Sequence, residues 1–119
     1  MLVGLTQRVE VMAETKEQRD CLDQSWFKRL DELNLSGIPV PNSLKDPVKW
    51  AKSMSVEALI LTGGNDLSHL NHAKNAALIR DVTERALLAW SSEKRVPVLG
   101  ICRGMQLMNT FLGGSLSSA

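Results

Sequence analysis

Val96-Pro97-Val98-Leu99-Gly100-Ile101-Cys102-Arg103-Gly104-Met105-Gln106-Leu107-Met108 is the stretch from which the rest of the chain can be read. A fully apolar run, with its proline at the beginning where a strand tolerates it, breaks at Gly100-Ile101-Cys102-Arg103-Gly104 into residues that begin a helix. Glycine stands two positions to either side of a nucleophile type, which is the pattern of a nucleophile elbow. A sharp strand-to-helix turn holds the nucleophile in a strained backbone conformation, and larger side chains at the flanks would crowd it. The turn also places sulfur at a helix N-terminus, where exposed N–H groups and the macrodipole favour a thiolate. The competing reading of Cys102 is a buried, inert core cysteine at a strand end; the flanking glycines favour the elbow.

Working outward, Ala58-Leu59-Ile60-Leu61 is a second continuous apolar run, delivering Thr62-Gly63-Gly64-Asn65-Asp66 at its carboxyl end. Between the two runs, the spacing of Leu78, Ile79, Val82, Ala86, Ala89 and Trp90 predicts a helix over residues 76–92, with Arg80, Asp81, Glu84 and Arg85 mostly away from its apolar side. Upstream, Leu2 to Thr6 reads as a first strand followed by a polar loop. Leu22, Trp26, Leu30 and Leu33 predict an amphipathic helix over residues 16–33. Ile38-Pro39-Val40-Pro41 allows only a brief strand near a sheet edge, since proline lacks the ladder N–H. Residues 34–47 form the loosest connection, and Asp46-Pro47 starts a short helix through Ala51. Alternating apolar strands and helices are the pattern of a parallel sheet covered on both faces, so the fold class is α/β. In such sheets ligands bind beyond the carboxyl ends of the strands, where Gly63-Gly64 and Cys102 both fall.

With 119 residues and 44% hydrophobic content, the expectation is one domain with one modest core over residues 1–119. Lys plus Arg (14) nearly balance Asp plus Glu (13), and the basic residues are scattered, which argues against nucleic acid or anionic membrane as partners. No export signal and no run of about 20 apolar residues is present, so no membrane span is expected. Two cysteines in unrelated contexts, without paired Cys/His spacing, suggest neither a disulfide framework nor a zinc site. The expected compartment is a reducing cytoplasm, and no cofactor or metal is implied.

An oxyanion hole needs two N–H donors, each worth about 3 to 4 kcal/mol of barrier. Gly64, at the end of the neighbouring strand, can supply one and Arg103, directly after the nucleophile, the other; without the elbow, Thr62-Gly63-Gly64-Asn65 would read as a plain turn. Cys21, expected in the first turns of a helix, reads as a packing residue. His69 and His72 are the only histidines and lie after Asp66 in a polar segment, where a solvated bystander is the default; neither receives a catalytic role.

At Gly100-Ile101-Cys102-Arg103-Gly104-Met105-Gln106-Leu107-Met108-Asn109, together with Leu61-Thr62-Gly63-Gly64-Asn65-Asp66-Leu67 and Gly113-Gly114-Ser115-Leu116, the chain resembles the class I glutamine amidotransferase-like superfamily, and its γ-glutamyl hydrolase branch in particular. The resemblance implies a flavodoxin-like parallel sheet, of which this chain would form the N-terminal, nucleophile-bearing half. It also implies Cys102 as nucleophile, Gly64 and Arg103 as oxyanion hole, and Gln106 of the Gly-x-Cys-x-Gly-x-Gln pattern as a holder of the glutamyl group. Gly4-Leu5-Thr6-Gln7-Arg8 and Arg19-Asp20-Cys21-Leu22-Asp23-Gln24 look closer still to the γ-glutamyl-CDP-amidate hydrolases of bacterial capsule biosynthesis. That narrower resemblance makes Gln7 and Arg8 candidates for recognising glutamyl carboxylate or phosphate, because guanidinium matches both geometries. The alternative is that they simply begin a surface loop.

The activity implied is attack of Cys102 on a γ-glutamyl amide, release of the amine and hydrolysis of a glutamyl thioester. The substrate is a small γ-glutamyl compound; a protein partner would be a second copy of the chain or a synthase. The family carries its catalytic His and Glu in a portion that would follow residue 119, so this chain alone is expected to turn over little or not at all and to leave an apolar sheet edge exposed. A non-catalytic binding module is a second reading, opposed by the intact Gly100, Cys102, Gly104 and Gln106. The related cysteine-elbow chaperones and deglycases usually place histidine directly after the nucleophile, where this chain has Arg103.

Overall fold

The computed structural model describes residues 1–65, 67 and 77–116. In chain order it contains β1 (Leu2–Leu5), β2 (Arg8–Val11), β3 (Gln18–Cys21), α1 (Gln24–Glu32), β4 (Ser36–Pro39), α2 (Pro47–Ser53), β5 (Ala58–Leu61), α3 (Leu78–Lys94), β6 (Val98–Gly100) and α4 (Arg103–Phe111). Four strands form a parallel sheet in the order β4-β1-β5-β6, with Leu2 opposite Ser36, Val3 opposite Ala58 and Leu59 opposite Val98. The α/β expectation holds, including helices on both faces.

Side-chain alternation along β5 divides the core. Leu59 joins Val40, Ala51, Val56, Leu87 and Trp90 on the side of α2 and α3, and Leu61 continues it through Leu67, Leu88 and Leu107 toward α4. Ala58 and Ile60 point to the opposite face, where they pack with Val3, Leu5 and the α1 residue Leu30. The chain leaves β1 toward β4 at one edge, then crosses to β5 on β1's other side. The switch point therefore lies between the carboxyl ends of β1 and β5, the position at which open α/β sheets bind ligands.

The proline-bearing strand is short and at the edge, as expected, and Asp46 caps α2 by accepting a hydrogen bond from the Lys49 N–H at 2.9 Å, with Pro47 in the first turn. Residues 16–33 differ from the predicted single helix. Lys16 adopts a positive φ of 60° and closes a turn, so that β2 and β3 pair as an antiparallel hairpin with Arg8 opposite Cys21. The helix starts only after Asp23, whose carboxylate accepts from the Ser25 N–H and hydroxyl; these bonds hold its pKa below the ordinary value. A non-local clamp fixes the hairpin: Asp20 accepts from the Asn42 backbone N–H and side-chain amide, both at 3.0 Å. Cys21 thus ends a strand and is partly buried, rather than sitting in a helix.

Two further expectations fail on orientation. Leu78, Ile79 and Val82 are 69%, 41% and 60% exposed, whereas Arg80, Asp81, Thr83 and Glu84 are buried. The first half of α3 lies over the polar carboxyl ends of the strands, where charges neutralise one another; only its second half buries Leu87, Leu88 and Trp90. The run at residues 96–101, expected to be covered on both faces, narrows to β6, whose Leu99 is 53% exposed. Leu99 lies beside an open apolar groove lined by Val3, Leu30, Leu35, Ala58 and Ile60, because among the described residues α1 covers β4 and β1 but does not reach over β6. No helix among the described residues is long and apolar enough to cross a membrane.

Candidate active site

The turn from β6 into α4 is held by backbone bonds on both sides of Cys102. The Ile101 N–H extends the ladder to the Leu61 carbonyl at 2.9 Å, and the Gln106 N–H reaches the Cys102 carbonyl at 3.1 Å. Cys102 itself has φ 53° and ψ −109°, caps α4 and is exposed. A non-glycine residue in that region carries about 1 to 3 kcal/mol of strain, sustained by the packing around it. Both flanking glycines are demanded by close approach. A β-carbon on Gly104 would stand 2.1 Å from the Leu61 carbonyl oxygen, and one on Gly100 2.6 Å from the Met108 sulfur and 2.8 Å from the Gly104 carbonyl carbon. The elbow therefore brings α4 directly against the end of β5.

That end carries the glycine turn. A β-carbon on Gly63 would lie 3.6 Å from the Cys102 β-carbon, so the turn stands beside the nucleophile with room for about one added methyl group between them. Gly64 has φ 88°, and Arg8 packs against it so closely that a β-carbon there would meet the Arg8 δ-carbon at 2.7 Å. Asn65, also at positive φ, staples the β2–β3 hairpin to the turn: its Oδ1 accepts from the Val9 N–H at 2.8 Å and its Nδ2 donates to the Val9 carbonyl at 3.0 Å.

Beneath the turn lies a buried ionic cluster. Arg80 Nη1 donates to the carbonyls of Gly63 (3.0 Å) and Gly64 (2.7 Å), and Nη2 donates to the Thr62 carbonyl at 2.7 Å. Its Nε stands 3.4 Å from Glu84 Oε2, an ion pair without hydrogen-bond geometry. Glu84 also accepts from the Thr6 hydroxyl and from Arg103, and Arg103 reaches Asp81 as well. Burial pushes the Arg80 guanidinium down to about 10, opposed by the neighbouring Glu84 carboxylate, so Arg80 remains a cation at neutral pH. Among the described residues, two guanidinium groups face two carboxylates.

A strained, exposed cysteine between two packing-constrained glycines, facing a glycine turn, sits where the Peptidase C26 family model matches residues 1–119. The chain belongs to the Peptidase C26 family, which is class I glutamine amidotransferase-like. Among similar proteins, a Campylobacter jejuni protein named gamma-glutamyl-CDP-amidate hydrolase is 33% identical over 119 residues, covering 98% of this chain and 58% of that protein. A glutamine amidotransferase-like protein of Lactococcus lactis is 34% identical over 78% of this chain and 42% of its own length. The glutamine-hydrolysing GMP synthase of Anaplasma marginale is 30% identical over 77% of this chain and 16% of its own length. This C26 chain thus spans somewhat over half, or less, of the relatives it matches.

Within the C26 chain, the structure brings Cys102, Gly64, Arg103 and Arg8 into one region. Arg103 contributes its backbone at the first position of α4, while its side chain is buried in the ionic cluster. Arg8 is half-exposed and ion-paired to Glu10 at 2.8 Å. Gln106 is exposed one turn beyond the nucleophile. Gln7 is 8% exposed, its Nε2 donates to the Val40 carbonyl at 2.9 Å and its own backbone carbonyl accepts from Asn42. Asp66, His69 and His72 lie outside the described residues. Sequence reasoning placed Arg80, Glu84 and Asp81 mostly away from the apolar side of the helix and gave them no role at the site. Their signal was an Arg and a Glu at i, i+4 in a helix that follows the glycine turn, and hydrophobic periodicity cannot separate a solvated charge from a neutralised one.

Proposed function

We propose that this C26 chain is the nucleophile-bearing part of a cysteine-dependent hydrolase that cleaves a γ-glutamyl amide. Cys102 Sγ attacks the γ-carbonyl and loses its proton. The N–H groups of Gly64 and Arg103 take the oxyanion; the C–N bond then breaks, the amine leaves with a proton, and water hydrolyses the glutamyl thioester to glutamate and free thiol. Gln106 and Arg8 border the glutamyl group, and Gln7 supports the strand end that carries Arg8. The observation that supports this reading most is the exposed Cys102 at φ 53°, beside the glycine turn at Gly63.

The substrate class we infer is a γ-glutamyl amide on a nucleotide carrier, as in the name of the Campylobacter relative, with a place in capsule biosynthesis and in the reducing cytoplasm, where a free thiol nucleophile persists. The GMP synthase relative supports a second reading, in which the released amine is ammonia passed to a synthase partner.

Peptide mapping after exposure to a γ-glutamyl electrophile tests the nucleophile. The expected result is labelling of Cys102 about tenfold or more faster than the partly buried Cys21. Equal labelling at the rate of a free thiol contradicts the proposal.

A further inference from the structure

Three successive carbonyls of one loop, those of Thr62, Gly63 and Gly64, converge on the guanidinium of Arg80, which reaches them from α3. Every peptide bond of the described residues is trans. In a planar trans peptide the N–H of the following residue points opposite to the carbonyl. A cation that draws these three carbonyls toward α3 therefore turns the N–H groups of Gly63, Gly64 and Asn65 to the other side of the loop. Glycine has no intrinsic preference to hold such a peptide in one orientation. Gly63 and Gly64 thus require an outside agent to fix them, and the Arg80 fork provides donors in a rigid plane.

The same helix holds the second half of the cradle. Asp81 and Glu84, which follow Arg80 on α3, grip the side chain of Arg103, the residue whose N–H follows the nucleophile. Thr6 at the end of β1 closes the network, donating to Glu84 and accepting from the Thr62 N–H at 3.1 Å. Arg80 is fully buried and lies outside the face presented to a ligand, so a substrate-contacting role is closed to it.

We propose that Arg80 is the positioning residue of the oxyanion cradle, fixing the glycine-turn amides by gripping the carbonyls behind them while its helix neighbours anchor Arg103. This rests on the reading of Cys102 as an acylated nucleophile. Arg80 reaches the three carbonyls from two nitrogens held in one plane, whereas an ammonium directs its three donors from a single point, so a lysine does not reproduce the grip.

Two reactions of the same sulfur separate positioning from scaffolding. Acyl transfer from a γ-glutamyl thioester passes through an oxyanion: the Cys102 Sγ–C bond forms, the donor C–S bond breaks, and the departing thiolate takes the Cys102 proton. Alkylation by iodoacetamide displaces iodide and develops no oxyanion. In Arg80→Lys and Arg80→Gln, measured in parallel with the unaltered chain, the acylation rate should fall about 10²-fold or more, the effect of losing one oxyanion donor. Cys102 alkylation should stay within about threefold in the same proteins, its exposure being unchanged. Equal losses in both reactions, no loss in either, or failure of both variants to fold would overturn the proposal and assign Arg80 to the scaffold. Failure of the unaltered chain to acylate at all, with Cys102 still alkylated, would instead strike at the functional reading on which the proposal rests.

Discussion

Replacing Gly104 by alanine is expected to destabilise the chain by about 3 kcal/mol or more, at the severe end for a single added methyl group. The added carbon would sit 2.1 Å from the Leu61 carbonyl oxygen and 2.7 Å from its carbonyl carbon. Both are backbone atoms of a central strand, so no rotamer change relieves the clash; α4 must lift off β5 and the Leu61, Leu88 and Leu107 packing opens with it. Urea denaturation followed by tryptophan fluorescence measures the loss. Gly113→Ala provides the contrast, since nothing lies within 4 Å of its β-carbon and only its φ of 92° resists substitution, at about 1 kcal/mol. Comparable costs at the two positions would contradict the close-contact account of the elbow.

Glu84→Gln is the second large effect. Among the described residues, the cluster sets Arg80 and Arg103 against Asp81 and Glu84, all four side chains being at most 8% exposed. Removing one carboxylate charge leaves two buried guanidinium groups facing one anion, and breaking a buried pair from one side costs about 3 to 5 kcal/mol. The lost attraction is only part of that figure, since most of it comes from the uncompensated cation. The double variant Glu84→Gln/Arg103→Met should therefore recover part of the loss, with a coupling of about 1 to 3 kcal/mol in a double-mutant cycle. Strict additivity in the denaturation data would contradict the view that these residues form one charge-balanced unit.

The parts of the fold legible in the sequence were those in which a local signal and the tertiary structure agree. Ala58–Leu61 is apolar because both of its faces are covered, Asp46-Pro47 caps a helix with its own atoms, and the prolines of residues 38–41 confine their strand to an edge. The β2–β3 hairpin was illegible because its determinants are distant: Asn65 pairs with Val9, and Asn42 with Asp20, across stretches that no window of local periodicity spans. At the site, the spacing Gly100, Cys102, Gly104 exposed the elbow, since the two glycines are required by packing at fixed offsets from the nucleophile. The ionic support was hidden because charges at the start of α3 carry the same pattern whether water or an opposing charge neutralises them. For Gln7 the sequence left two readings open, a ligand-facing side chain or the start of a surface loop, because a contact such as that of its amide with the Val40 carbonyl is not local in sequence.

The account stands on the cradle, and one structure would test it: a crystal structure of the chain carrying a γ-glutamyl aldehyde as a hemithioacetal on Cys102. The account predicts the adduct oxygen about 2.7 to 3.1 Å from the backbone nitrogens of both Gly64 and Arg103. An adduct oxygen turned into solvent, or held by side chains with those two amides facing elsewhere, would contradict it.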